Sequence, residues 1–289
     1  MTSLAPPTEE QTVRGADGTA LHLRAWRVPQ PRLILINVHG LGDHGALYPD
    51  LIEFGLGRGW SVLGPDTRGN GRSGGARGHV ERFEHFRQDL QVIVRAAQRE
   101  AGALPLVLVG HSLGGLIVLD YALAHPTGLS AVVLAAPPLG PLAVSGARLA
   151  LARSVSRLWP GFALETGLDL STLADDPAIL PKLLSDPLFH RKASARLATE
   201  VERTVASVHA GGRSLTVPTL IMHGTGDDIV PIEGSRRFAS TAAPAPVELM
   251  ELPGARHALF ADYGKEERLR LLGEWLEQKS KVESLKSKI

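Results

Sequence analysis

Gly110-His111-Ser112-Leu113-Gly114 fits the pattern G-x-S-x-G, in which a serine occupies a sharp corner and small flanking residues let the backbone turn without side-chain collision. A serine hydroxyl is a weak nucleophile at neutral pH. It needs a base to take its proton, an acid to hold that base in the right tautomer, and N–H donors for the oxyanion that forms. Where a serine is presented at such a corner, the acid and then the histidine follow it in the chain, on loops after later strands. Asp227 and Asp228 follow the apolar run Leu220-Ile221-Met222, and His257 follows Val247–Leu252. Of the two aspartates Asp227 is favoured, being the earlier on the turn that leaves Gly224-Thr225-Gly226. Of the eleven histidines, only His257 stands after the last strand, where the order requires the base. The expected oxyanion donors are the backbone N–H of Leu113, next to the nucleophile, and that of Leu41 in the glycine-flanked turn His39-Gly40-Leu41-Gly42.

Two other motifs compete for attention. His39, Asp43 and His44 partly match the H-x-H-x-D-H loop of zinc hydrolases, but Leu41 stands where the second histidine belongs, so no metal is expected. Gly69-Asn70-Gly71-Arg72-Ser73-Gly74 matches G-x-G-x-x-G, yet the following helix starts only near Phe83 instead of opening inside the glycine loop. It reads as a loop, and no cofactor is expected.

The elements that must position these residues follow from hydrophobic period. Residues 11–28 alternate around Asp17-Gly18 and predict a hairpin. Leu33–Val38 is a continuous β-branched and leucine run suited to a strand buried on both faces. A short helix over 48–57, a strand over 60–64, a long amphipathic helix over 83–101, the serine strand and helix, and a strand over 129–135 come next. This alternation implies a mostly parallel sheet with helices on both faces. From Pro137 to about Ser214 the alternation stops. Val144, Leu151, Val155, Leu158 and Phe162 share one helical face, and further helical pieces follow, so an all-helical insertion is expected over 138–214. The core would then comprise 1–137 and 215–289, with strands at 218–224 and 247–252 and a last helix over 265–277. The lysine-rich tail 278–289 either extends that helix or frays.

A chain of 289 residues, 44% hydrophobic, can bury a large α/β core. The absence of cysteine excludes a disulfide framework and thiol catalysis and makes a cytoplasmic setting the simpler expectation. A net charge of +1 offers no footprint for nucleic acid. Residues 1–7 lack the basic start and apolar run of a signal peptide, and no stretch reaches the roughly 18 apolar residues of a membrane span.

Six segments together carry a resemblance: His39-Gly40-Leu41-Gly42-Asp43-His44, Asp66-Thr67-Arg68-Gly69-Asn70-Gly71-Arg72-Ser73, Gly110-His111-Ser112-Leu113-Gly114-Gly115, Ser185-Asp186-Pro187-Leu188, Gly224-Thr225-Gly226-Asp227 and His257. From about Val13 to Leu276 the chain resembles the monoacylglycerol lipase and lysophospholipase branch of the α/β-hydrolases. That resemblance implies the α/β-hydrolase fold, a helical cap over the site, Ser112, Asp227 and His257 as a triad, and Leu41 and Leu113 as oxyanion donors. The implied substrate is a small-molecule ester of a single-chain lipid, with the cap's apolar residues Leu151, Val155, Leu158 and Trp159 lining an acyl tunnel or touching a membrane or micelle surface. Asn70 departs from the histidine common in the branch. The same triad also serves general carboxylesterases, lysophospholipases and thioesterases, and a non-catalytic binding protein on this fold is the distant alternative.

Overall fold

Leucine and β-branched runs form the strands, and their burial decides the layering. The computed structural model describes residues 4–140 and 146–286. β1 (Glu9–Arg14) and β2 (Ala20–Trp26) make the expected hairpin. There follow β3 (Leu33–Val38), α1 (Pro49–Gly57), β4 (Trp60–Pro65), α2 (Glu84–Ala101), β5 (Leu106–His111), α3 (Leu113–Ala124) and β6 (Ala131–Ala135). An inserted segment holds α4 (Gly146–Leu158), β7 (Ala163–Glu165), α5 (Ile179–Ser185), β8 (Lys192–Ser194) and α6 (Ala195–Gly211). The chain then returns through β9 (Thr219–Gly224), α7 (Glu233–Ala242), β10 (Val247–Leu252) and α8 (Lys265–Lys286).

One sheet of eight strands runs in the order β1-β2-β4-β3-β5-β6-β9-β10. From β4 to β10 neighbouring strands are parallel, while β1 and β2 are antiparallel to their neighbours. Alternate residues of β3 serve opposite faces: Ile34, Ile36 and Val38 pack with Phe86, Leu90 and Ile117 of α2 and α3, while Leu33 and Leu35 pack with Leu51, Ile52 and Leu272 of α1 and α8. Both faces are thus covered, which is why β3 carries no polar alternation. The chain leaves β3 for β4 on one side and returns to β5 on the other. The loops after β3 and β5 therefore diverge and open a crevice at the strands' C-terminal ends, the place where such sheets hold ligands.

β6 and β9 pair directly, although the whole inserted segment lies between them in sequence. That segment is not all helical as expected: β7 and β8 form a small antiparallel ladder with Leu164 opposite Ala193. Strands of three residues are too short to register as a period of two. Phe162 does not continue the face of α4, because Pro160 prevents the helix from running on; its ring packs instead on Trp159, with centroids 5.1 Å apart. Val144 lies outside the described residues, as does the side chain of Leu151. Leu158 and Trp159 point outward, 88% and 66% exposed, and line neither of the cavities at the crevice. α8 extends through the lysine-rich tail to Lys286. No helix among the described residues is long and apolar enough to cross a membrane.

Candidate active site

Ser112 sits between the last residue of β5 and the first of α3 with φ 51° and ψ −124°, a strained left-handed backbone for a residue with a side chain. The flanking glycines are dictated by contact. A Cβ on Gly114 would lie 2.1 Å from the Val38 carbonyl oxygen, and one on Gly110 would lie 2.4 Å from the Gly114 carbonyl oxygen. The corner holds Ser112 half-buried at the crevice and leaves the N–H of Leu113, at the first turn of α3, without an intrahelical acceptor.

His257, in the loop after β10, is buried, and its Nδ1–H donates to Asp227 Oδ2 at 2.7 Å. Its Nε2 is thereby left as the acceptor nitrogen, and Ser112 and His257 line one cavity. Asp227 divides its carboxylate: Oδ2 meets His257, while Oδ1 accepts the N–H groups of Ile229 and Val230 at 3.0 and 2.8 Å and caps its own turn. Burial alone would raise the pKa of this carboxyl. Hydrogen bonding to His223 and His257, together with the Val230 N–H, outweighs it and holds Asp227 well below the usual carboxylate range. Asp228 turns outward and pairs with Arg256 at 2.6 Å.

The loop after β3 is built by side-chain tethers. His39 donates from Nδ1 to the Gly40 carbonyl at 2.7 Å and accepts the Thr67 N–H at Nε2 at 2.9 Å. Burial lowers its pKa and keeps the ring neutral. Gly40 N–H donates to Tyr48 Oη at 3.1 Å, and Gly42 N–H donates to Asn70 Oδ1 at 3.1 Å. Between them the N–H of Leu41 has no hydrogen-bond partner among the described residues. His44 accepts the Ala46 N–H at Nδ1 and donates from Nε2 to Asp186 at 3.0 Å. Both histidines of the zinc-like motif are therefore committed to orienting the loop. The glycine-rich stretch 69–74 is likewise a loop: Asp66 accepts from Arg24, the Gly45 N–H and the Arg72 N–H, and Arg68 reaches Asp89 of α2 at 2.6 Å.

Two cavities meet at Ser112. The larger, about 450 Å³, is lined mainly by apolar side chains, among them Leu113, Pro138, Leu197, Val201 and Pro231. The smaller, about 80 Å³, mixes apolar side chains, among them Leu170, Leu173, Leu183 and Phe189, with the polar groups of His111, His190, Arg191 and His257. Leu41, Ser112, Thr166, Leu168 and Ile229 border both.

A family model described as "Serine aminopeptidase, S33" matches residues 29–264. A monoacylglycerol lipase of Mycolicibacterium smegmatis is 31% identical over 254 residues, 87% of this chain and 90% of that protein. The chain belongs to this family, in its monoacylglycerol lipase-like branch. Among solved structures, monoacylglycerol lipase from Paleococcus ferrophilus is 34% identical with a TM-score of 0.81, covering 90% of this chain and 99% of that one. A soluble variant of monoglyceride lipase from Saccharomyces cerevisiae, solved with a substrate analog, is 25% identical with a TM-score of 0.86, covering 96% and 98%. The fold is that of the α/β-hydrolases, as the sequence led one to expect, and the chain is a serine ester hydrolase of lipase and esterase type.

Several residues around this α/β-hydrolase site were not anticipated. His111 donates from Nε2 to the His257 carbonyl at 3.1 Å, sets its Nδ1 3.0 Å from Tyr48 Oη, and packs its ring 4.8 Å from that of His257. Burial, then the neighbouring His257, push its pKa down to about 4, so it stays neutral. Tyr48 in turn donates to Asp43 Oδ2 at 2.7 Å. The only sequence signal was position, since His111 is the variable residue inside G-x-S-x-G. Its partners lie 63 and 146 residues away.

Proposed function

We propose that this α/β-hydrolase cleaves carboxylic esters of single-chain lipids, monoacylglycerols first, through an acyl-enzyme on Ser112. The observation that carries the reading is the place of Ser112 at the junction of a large apolar cavity and a much smaller one of mixed lining. The acyl chain fills the first. The second, with room for only a few waters, suits a small polyol and has no place for a second acyl chain.

In this mechanism His257 Nε2 takes the Ser112 proton as Oγ attacks the ester carbonyl, and Asp227 stabilises the imidazolium through Nδ1–H. The N–H groups of Leu41 and Leu113 receive the oxyanion, each contributing about 3 kcal/mol to the transition state. The protonated His257 gives its proton to the leaving alcohol. The same imidazole then activates water, which releases the fatty acid and restores Ser112. The inserted segment 138–214 acts as a cap. Leu158, Trp159, Leu164 and Leu184, each more than half exposed on its outer surface, touch the lipid aggregate that supplies substrate.

A substrate panel at matched acyl length tests the assignment. Monoacylglycerol should exceed lysophospholipid and di- and triacylglycerol in kcat/KM. Within a series of esters the value should rise about fourfold per added methylene until the apolar cavity is filled. Equal rates on all classes, or a preference for short esters, would make the protein a general carboxylesterase.

A further inference from the structure

We propose that His190, in the inserted segment, is a positioning residue for the oxyanion loop: it holds Gly42 so that the neighbouring Leu41 N–H faces Ser112. The inference rests on the assignment of Leu41 and Ser112 made above and concerns how that donor is kept in place.

The accounting of polar groups around Leu41 points to His190. Gly40 is held without the inserted segment, its N–H by Tyr48 and its carbonyl by His39 and by the N–H of Asp43 in the same loop. Gly42 is held from two directions. Its N–H goes to Asn70 in the core, and its carbonyl accepts the His190 N–H at 3.1 Å. The approach is as close as backbone allows, since a Cβ on Gly42, whose φ is 80°, would lie 1.9 Å from the His190 carbonyl oxygen.

The side chain of His190 then closes a ring. Its Nε2–H donates to the Gly69 carbonyl at 3.1 Å, and Gly69 precedes Asn70, which takes the other side of Gly42. Its Nδ1 accepts the Lys192 N–H at 3.2 Å, so only the neutral tautomer with hydrogen on Nε2 satisfies both bonds. Burial, opposed by the Gly69 carbonyl and joined by the charges of Arg77 and Lys192, lowers the pKa of His190 and favours that neutral form. Four residues earlier Asp186 ties the same segment to His44 at the far end of the loop. The segment that borders the substrate cavities thus also sets the geometry in which charge on the carbonyl is met. Misplacing a donor by a fraction of an ångström weakens it in the transition state more than in the ground state, so the effect belongs in kcat.

The test compares wild type with His190→Ala, His190→Gln and Asn70→Ser on p-nitrophenyl acetate, whose acyl group is too short to depend on the large cavity. His190→Ala should lower kcat about tenfold with KM within twofold, and fluorophosphonate should label it about tenfold more slowly but to the same final extent. His190→Gln, which can still donate to Gly69, should recover most of the rate. Asn70→Ser should show a similar defect, and the double variant should lose less than the product of the two single losses, because both belong to one ring. Acetate turnover within twofold of wild type in a fully labelled His190→Ala protein would overturn the proposal. So would a defect confined to KM for long-chain esters, or a loss matched by the unlabelled fraction. Should His190→Ala not fold, the kcat of His190→Gln and Asn70→Ser decides by the same criteria. Labelling of wild type at a residue other than Ser112 would remove the underlying assignment itself, an outcome distinct from labelled Ser112 with an indifferent His190.

Discussion

Replacing Asp227 by asparagine separates the two jobs of its carboxylate. Oδ1 accepts two backbone N–H groups, from Ile229 and Val230, and Oδ2 accepts His257 Nδ1–H. An asparagine amide must keep its oxygen toward the two N–H groups, since the reverse orientation would set donors against donors. Its NH2 then faces His257 and donates to Nδ1, which drives the imidazole proton to Nε2, the nitrogen that must act as base. The turn survives while the base is lost. The expected fall in kcat is about 10⁴, or about 5 kcal/mol of transition-state stabilisation, with little change in KM. Asp228→Asn is the matched control, because Asp228 pairs with Arg256 at the surface and an exposed pair is worth at most about 1 kcal/mol; its activity should stay within twofold. Steady-state kinetics on p-nitrophenyl butyrate, with thermal unfolding to show that both variants are folded, provide the assay. An Asp227→Asn protein retaining more than a tenth of the parent kcat, or an Asp228→Asn protein that is the damaged one, would refute the reasoning.

Three further outcomes follow from the same structure. His111 binds a proton at about 4 when folded and at 6.5 when unfolded, so the unfolded state takes up more protons between those values and stability falls as pH drops through them; the loss is about 2 kcal/mol at pH 5 relative to pH 7, and equal urea midpoints at the two pH values would contradict it. Asn37 is wholly buried in β3 with neither amide atom hydrogen-bonded among the described residues, so Asn37→Leu should stabilise the protein by about 1–2 kcal/mol in urea unfolding, whereas a loss of stability would mean that the amide has a buried partner. If the exposed face of the inserted segment meets lipid as proposed, Trp159→Ser should weaken binding to lipid vesicles about tenfold or more while leaving turnover of a dissolved short ester unchanged; unaltered vesicle binding would contradict that proposal for Trp159.

How much of this could be read beforehand depended on the range of the interactions involved. The buried strands announced themselves as unbroken apolar runs, because a strand covered on both faces has no polar side to interrupt it. The serine corner was visible because Gly110 and Gly114 answer a local demand, the near contact of backbone with backbone. The choice between Asp227 and Asp228 was open on chemistry, for adjacent carboxylates differ only in which way the turn points them; the structure turns one toward His257 and the other toward Arg256. The three-residue strands β7 and β8 leave no periodic trace, and α7 leaves only a faint one, because two of its four buried residues are Gly234 and Ser235 and only Phe238 is large and apolar. The tethers of the loop after β3 could not be read at all. His190 and Gly69 are 121 residues apart, and His44 and Asp186 are 142 apart, so nothing local marks them as partners. Fold here is written in short-range pattern, whereas the support of the site is written in pairs that only folding brings together.

The central claim is that Ser112 carries the acyl group between the two half-reactions. Wild-type protein mixed with excess p-nitrophenyl dodecanoate and quenched in acid within the first turnover should release a burst of nitrophenol equivalent to one acyl group per chain. Peptide mass mapping should then place the dodecanoyl group on Ser112, and Ser112→Ala should give neither burst nor adduct. An acyl group found on another residue, or undiminished turnover by Ser112→Ala, would contradict the account.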